Sequence, residues 1–245
     1  MSIRVRAQQF LLALVFLTRL PLGRLLPPRV LPLAESAWAF PLVGAIIGAI
    51  ASLPLLLPGP PLLTATLSVA LAVWLTGALH EDALADFADA AGGNTPEDRL
   101  RIMRDSRIGS YGVMALIVST LLRIAALGVL GPLALIAAAS TGRAAIVFAM
   151  VALPPARSDG LGRAAGRPGL GGLAVSALIA ALFLLPAGLP AFAAAGVAAI
   201  VGAWVIFKAK QWLGGQTGDV LGTMSLVAET AVLVVFALFR EVTAS

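Results

Sequence analysis

The 245-residue sequence has no cysteine, and only 12% of its residues are charged. Without cysteine there is neither a disulfide nor a thiol nucleophile, and redox chemistry says nothing about its compartment. A soluble domain would carry roughly a quarter charged residues. Charge at 12%, with 60% hydrophobic residues and a mean hydropathy of +0.99, excludes such a domain of useful size. The net charge of +5 is too small and too scattered for a nucleic-acid reader. It suits loops that face anionic lipid. A membrane β-barrel would show short alternating strands, whereas the apolar runs here are unbroken and rich in Ala, Leu and Val.

What is present is an all-α, polytopic helical membrane protein. Apolar runs at 37–57, 62–80, 111–130, 133–153, 172–188, 189–207 and 221–239 each approach the ~20 residues that a bilayer core requires. They predict about seven transmembrane helices in one integral-membrane domain, 1–245. Tight turns at Pro58–Pro61, Gly131-Pro132 and Pro186–Pro190 carry no charge. The other connections hold nearly all of it: Arg4 to Arg29, the stretch from His80 to Arg107, Arg157/Arg163/Arg167, and Lys208/Lys210. The positive-inside rule places these charged connections, including a loop at 81–110, in the cytosol. The run at 7–22 has basic residues on both flanks, which would break the alternation if it spanned; an amphipathic or re-entrant helix is expected instead. It lacks the small-residue cleavage site of a signal peptide. Gly44 and Gly48 form a GxxxG, the signature of a helix-packing groove.

Seven of the twelve carboxylates lie between His80 and Arg107. Asp82, Asp86 and Asp89 are spaced i, i+4, i+7, so they share one narrow helix face about 10 Å long. Three like charges on one stripe repel unless a cation sits against them. Mg²⁺ suits such a stripe, because it takes one or two carboxylates, keeps waters and binds substrate phosphate. Glu81 points about 100° away from Asp82. His80, the only histidine, is expected as a structural hydrogen-bonder, with orientation of a carboxylate or contact with phosphate as the functional alternative. Gly92-Gly93-Asn94 stops this helix, and Thr95-Pro96-Glu97-Asp98 starts another, with Thr95 as N-cap. Arg104 and Arg107 follow, as guanidinium forks for phosphate or, alternatively, as members of a cytosolic loop whose charges compensate one another. A second polar island, Lys208 to Asp219, places Gln216, Thr217 and Asp219 between two apolar runs. Arg123, Arg143 and Glu229 fall within spans, where charge marks a site by default. Pairing of Glu229 with one of the arginines is the structural alternative, and Arg143, after Ser140-Thr141-Gly142, is the better site candidate.

The stretches Phe16 to Pro21, Phe40 to Gly44, His80 to Asp89, Ile102 to Gly112 and Leu213 to Asp219 together resemble the bacterial cobalamin synthase (adenosylcobinamide-GDP ribazoletransferase) family. The family pattern HxDGLAD has one departure, Ala83 in place of Gly. The resemblance implies a Mg²⁺-dependent transferase that joins adenosylcobinamide-GDP to α-ribazole, or its 5′-phosphate, with release of GMP. It implies a bacterial inner membrane with the site facing the cytosol, and it leaves a homo-oligomer open. On this reading Asp82, Asp86 and Asp89 hold the metal, and Asp89 or Asp105 is the base. Arg19, His80, Arg104, Arg107, Arg143, Gln216, Thr217 and Asp219 bind substrate. Two other readings exist. A CDP-alcohol phosphotransferase would carry DGxxAR and GxxxDxxxD, whereas here Asp82-Ala83-Leu84-Ala85 runs into Asp86. A cation or solute transporter would place its site near the bilayer midplane, often in repeat-related halves, and no repeat is visible.

Overall fold

The computed structural model describes residues 2–27 and 31–244, with side chains as far as 240. Arg29, one of the basic flanking residues, lies outside the described residues. The helices are α1 (Ile3–Leu17), α2 (Leu33–Ser36), α3 (Phe40–Ala51), α4 (Pro61–Thr76), α5 (Leu79–Asp89), α6 (Pro96–Ile102), α7 (Ser110–Leu127), α8 (Pro132–Ala152), α9 (Leu161–Ala164), α10 (Leu170–Leu184), α11 (Leu189–Leu213) and α12 (Gly218–Ala244). Among the described residues the only β-pairing is one bridge, Pro155 to Gln216.

Six helical stretches are long and apolar enough to cross a membrane: Leu33–Ala51, Ser110–Leu127, Pro132–Ala152, Leu170–Ala187, Leu189–Leu213 and Gly218–Arg240. The expected span at 62–80 is not one rod. It breaks after Thr76, and α4 and α5 meet at 89°. Gly77 (φ +66°) ends α4 in the left-handed region, with Ala78 N–H donating to the Val73 carbonyl at 2.9 Å. That is the closure of a Schellman motif. Ala78 is also left-handed, at φ +59°, which costs a residue with a Cβ about 1–2 kcal/mol. Arg19 covers the joint: its N–H donates to the Leu75 carbonyl at 2.8 Å, and its stem lies where a Gly77 Cβ would be.

The 15 residues of α1 reach about 22 Å, too short for a bilayer core. The helix packs on α2 and α3. Its buried Gln9 accepts from Trp38 Nε1 at 2.8 Å, and Phe16 stacks on Phe40 at 5.9 Å. α12 stands at the centre, packed by α5, α7, α8 and α11. α7, α10 and α11 form the outside, where Leu121, Leu178, Leu182 and Ile200 point away from the protein, as lipid-facing side chains do.

The GxxxG is a packing groove, as expected. A Cβ on Gly44 would lie 2.4 Å from the Ala139 carbonyl oxygen, and one on Gly48 would lie 2.8 Å from Ile136 Cα. Both contacts are backbone of α8, which has no side chain to swing aside. Gly44→Ala is therefore expected to cost about 1–3 kcal/mol, read as a lower thermal midpoint in detergent. An unchanged midpoint would mean that α3 and α8 do not pack as described.

Candidate active site

The apolar side of α5 (Ala83, Leu84, Ala85 and Phe87) is buried against α7 and α12. Thr223 Oγ1 donates to the Ala83 carbonyl at 3.0 Å. The departure at Ala83 is accommodated by a second glycine: Gly222 of α12 leaves the notch that the Ala83 methyl fills, since a Cβ on Gly222 would come within 2.4 Å of it. With its apolar side seated, α5 turns Asp82 and Asp86 outward.

Asp89 has a different task from its neighbours. One of its oxygens accepts from Gly109 N at 2.7 Å and the other from Gly112 N at 2.9 Å. It thus caps the start of α7, satisfying amide groups that the helix itself leaves bare. Gly109 and Gly112 are glycines for this reason, since a Cβ on either would collide with the carboxylate. Both of its oxygens are engaged by backbone amides and not presented to a substrate hydroxyl or a metal. Asp89→Ala is expected to destabilise the fold by about 1–2 kcal/mol, with a lower thermal midpoint. A midpoint equal to wild type would show the cap to be idle.

Two cavities open beside Asp82. The smaller, about 120 Å³, is lined by His80, Asp82, Arg157 and Asp219 with apolar residues of α1, α3 and α8. The larger, about 470 Å³, is lined by Asp82, Asp86, Arg104, Asp105 and Arg107. Asp82 is exposed and belongs to both. Asp219 enters from the first turn of α12, close enough to Asp82 and Asp86 for their charges to interact. The segment from α5 to α7, the loop after α8 and the start of α12 thus meet around these two cavities.

The polar island works mainly as scaffold. Gln216 N–H donates to the Pro154 carbonyl at 2.7 Å, Ala156 N–H to the Gln216 carbonyl at 2.9 Å, and Gln216 Nε2 to the Gly162 carbonyl at 3.1 Å. Gln216 is thus buried as a tie between two loops, not presented to a substrate. Thr217 is also buried; its hydroxyl donates to Asp219 Oδ2 and accepts from Val220 N, each at 3.2 Å. It caps α12 and orients Asp219. Of the three expected contacts, only Asp219 faces a cavity.

Other candidates are differently engaged. Asp105 is clasped by Arg107, with Nη2 at 2.7 Å and the backbone N–H at 3.0 Å. This holds its carboxyl down to about 2, so it is a weak base in this arrangement. Arg104 makes a two-pronged contact with Asp159, at 2.8 and 2.9 Å. Both pairs are exposed, where ion pairs are weak and exchange readily.

Arg143 is buried and bonded to Glu229, not open to a ligand. Glu229 also faces Arg123 at 3.8 Å, and Arg123 contacts Glu81 at 2.9 Å. Glu81, Arg123, Glu229 and Arg143 thus form a neutral buried quartet, in which Glu229 serves both arginines. His80 lies fully buried beside it, with neither ring nitrogen hydrogen-bonded.

Among the described residues no three acidic or histidine side chains converge as a ready cage for a metal. The donor set still fits Mg²⁺, which needs only one or two carboxylates when waters and phosphate complete its shell. Asp82, with Asp86 or Asp219, supplies hard oxygens beside open volume.

Fold and site define the class: a multi-pass, all-α membrane protein that gathers aspartates and arginines around cavities at one end of its bundle. The family profile of cobalamin-5-phosphate synthase matches residues 9–237. An adenosylcobinamide-GDP ribazoletransferase of Bradyrhizobium diazoefficiens is 40% identical over 241 residues, covering 94% of this chain and 93% of the relative. That of Azorhizobium caulinodans is 44% identical over 219 residues, covering 82% and 83%. No solved structure matches. The chain belongs to the cobalamin-5-phosphate synthase family and is a transferase of cobalamin biosynthesis.

Proposed function

We propose that the protein joins adenosylcobinamide-GDP to α-ribazole, or to its 5′-phosphate, and releases GMP. The observation that carries this reading is the position of Asp82 in both cavities, in a chain that matches ribazoletransferases over nearly its whole length. A ribose hydroxyl of the acceptor attacks the cobinamide-bearing phosphorus. The new P–O bond forms as the bond to the bridging oxygen breaks, and GMP leaves with that oxygen. Such transfer requires mainly positioning and charge neutralisation.

Asp82, with Asp219, would hold Mg²⁺, which when bound neutralises charge on the phosphate oxygens. Arg104 and Arg107 exchange Asp159 and Asp105 for phosphate oxygens. Asp86, half-buried and facing the larger cavity, accepts the proton of the attacking hydroxyl. Asp89 keeps α5 and α7 in register. The charged end of the bundle faces the cytosol of a bacterial inner membrane by the positive-inside rule.

The test is GMP release by full-length protein in detergent or liposomes, given adenosylcobinamide-GDP, α-ribazole and Mg²⁺. Release that depends on both acceptor and metal is expected. Folded protein that releases no GMP with either acceptor form would overturn the proposal.

A further inference from the structure

The smaller cavity contains a cation that no motif singled out. Arg157 reaches it from the loop between α8 and α9 and lines it together with Asp82 and Asp219, close enough to Asp219 for their charges to interact. Its side chain is 19% exposed, and Nε and Nη1 are buried without a hydrogen-bond partner. Its one acidic neighbour by contact, Asp159, stays 3.6 Å from Nε. Buried donors of a guanidinium are costly to leave unmade.

The loop is built to keep them there. It is stitched to the start of α12 through Pro154, Ala156 and Gly162. A Cβ on Gly215 would lie 2.1 Å from the Pro154 oxygen, so the two strands of chain touch backbone to backbone. Gly160, at φ +78°, leaves room for the guanidinium, which a Cβ there would meet at 3.2 Å.

Asp159 also connects the two cavities. It takes Arg104 of the larger cavity at 2.8 Å while facing Arg157 of the smaller one. One exposed carboxylate thus sits between two arginines from separate loops, on either side of Asp82.

We propose that Arg157 is an anion-binding residue that grips the diphosphate of the substrate from the side of the smaller cavity, and that Asp159 stands in that anion's place in the ligand-free protein. The inference rests on the transferase reading above for the identity of the anion, but not for its existence. A diphosphate lying past Asp82 completes the Arg157 donors and displaces Asp159 from Arg104.

The test is calorimetric titration of full-length protein in detergent with inorganic pyrophosphate and Mg²⁺. Arg157→Gln should weaken binding about tenfold to a hundredfold, the worth of one or two charge-assisted hydrogen bonds. Arg157→Lys keeps the charge without the fork and should fall between that variant and wild type. Asp159→Asn should tighten binding severalfold, because the internal competitor is weakened; as an exposed position it also guards against a loss that merely reports misfolding. No binding by folded wild type, unchanged affinity in Arg157→Gln, or no gain in Asp159→Asn overturns the inference. Pyrophosphate binding with these responses but without GMP release would keep it and remove the proposed substrates.

Discussion

Asp82→Asn is expected to lower GMP release by roughly two to three orders of magnitude, with the thermal midpoint left as in wild type. The two halves of this expectation have separate causes. Asp82 is exposed and lines both cavities, so its charge is available to whatever binds there. Its helix is seated through Ala83, Leu84, Ala85 and Phe87 and by the Thr223 bond, none of which involves the Asp82 carboxylate. Asn keeps the shape and removes the charge, and with it a hard ligand for a cation that must balance phosphate. Asp89→Ala should show the opposite pattern, a stability loss through the α7 cap. Turnover by Asp82→Asn within a factor of a few of wild type would remove the stripe from the mechanism. A large fall in its midpoint would mean that Asp82 holds the fold and not the substrate.

The second large effect belongs to stability. Glu229→Leu should destabilise the protein by about 3–5 kcal/mol, the cost of stranding a buried charge. Glu229 serves two arginines, so its loss leaves Arg143 without its carboxylate and Arg123 with Glu81 alone. The informative partner is the double variant, Arg143→Met with Glu229→Leu. It restores neutrality, since Arg123 and Glu81 remain as a pair, and it should recover most of the loss. Thermal unfolding in detergent separates the cases. If the double variant is as unstable as the sum of the two single changes, the quartet is not a coupled unit.

Much of this architecture was legible in the sequence. The spans follow from hydropathy, since lipid tolerates few alternatives to an apolar helix. The GxxxG contact and the Thr95 cap, where Thr95 Oγ1 accepts from Asp98 N at 3.1 Å, are local patterns with one geometric solution. The break at Gly77-Ala78 was not legible, because hydropathy does not register a change of backbone direction and a left-handed alanine leaves no compositional mark. The site was half legible. Spacing placed Asp82 and Asp86 on one face, but it could not show that Asp89 spends its oxygens on amides twenty residues on. Gln216, Thr217 and Arg143 are polar residues in apolar surroundings, a pattern shared by ligand contacts and internal ties; only the partner distinguishes them. Arg157 carries the same kind of signal as the polar island, a charge among glycines (Gly160, Gly162) at the end of an apolar run.

The central position of α12 has a consequence for how the protein is made. Of the spanning helices it is the most enclosed, 78% buried over its apolar window against 17–22% for α7, α10 and α11. It is also synthesised after all of them. Until it inserts, α5 has no Thr223 or Gly222 to rest on, and Arg143 has no carboxylate. Before it inserts, the five earlier spans and the bent α4–α5 pair therefore surround an unpaired Arg143. Insertion of α12 pairs that arginine with Glu229 and brings Asp219 to the cavity beside Asp82 in the same step.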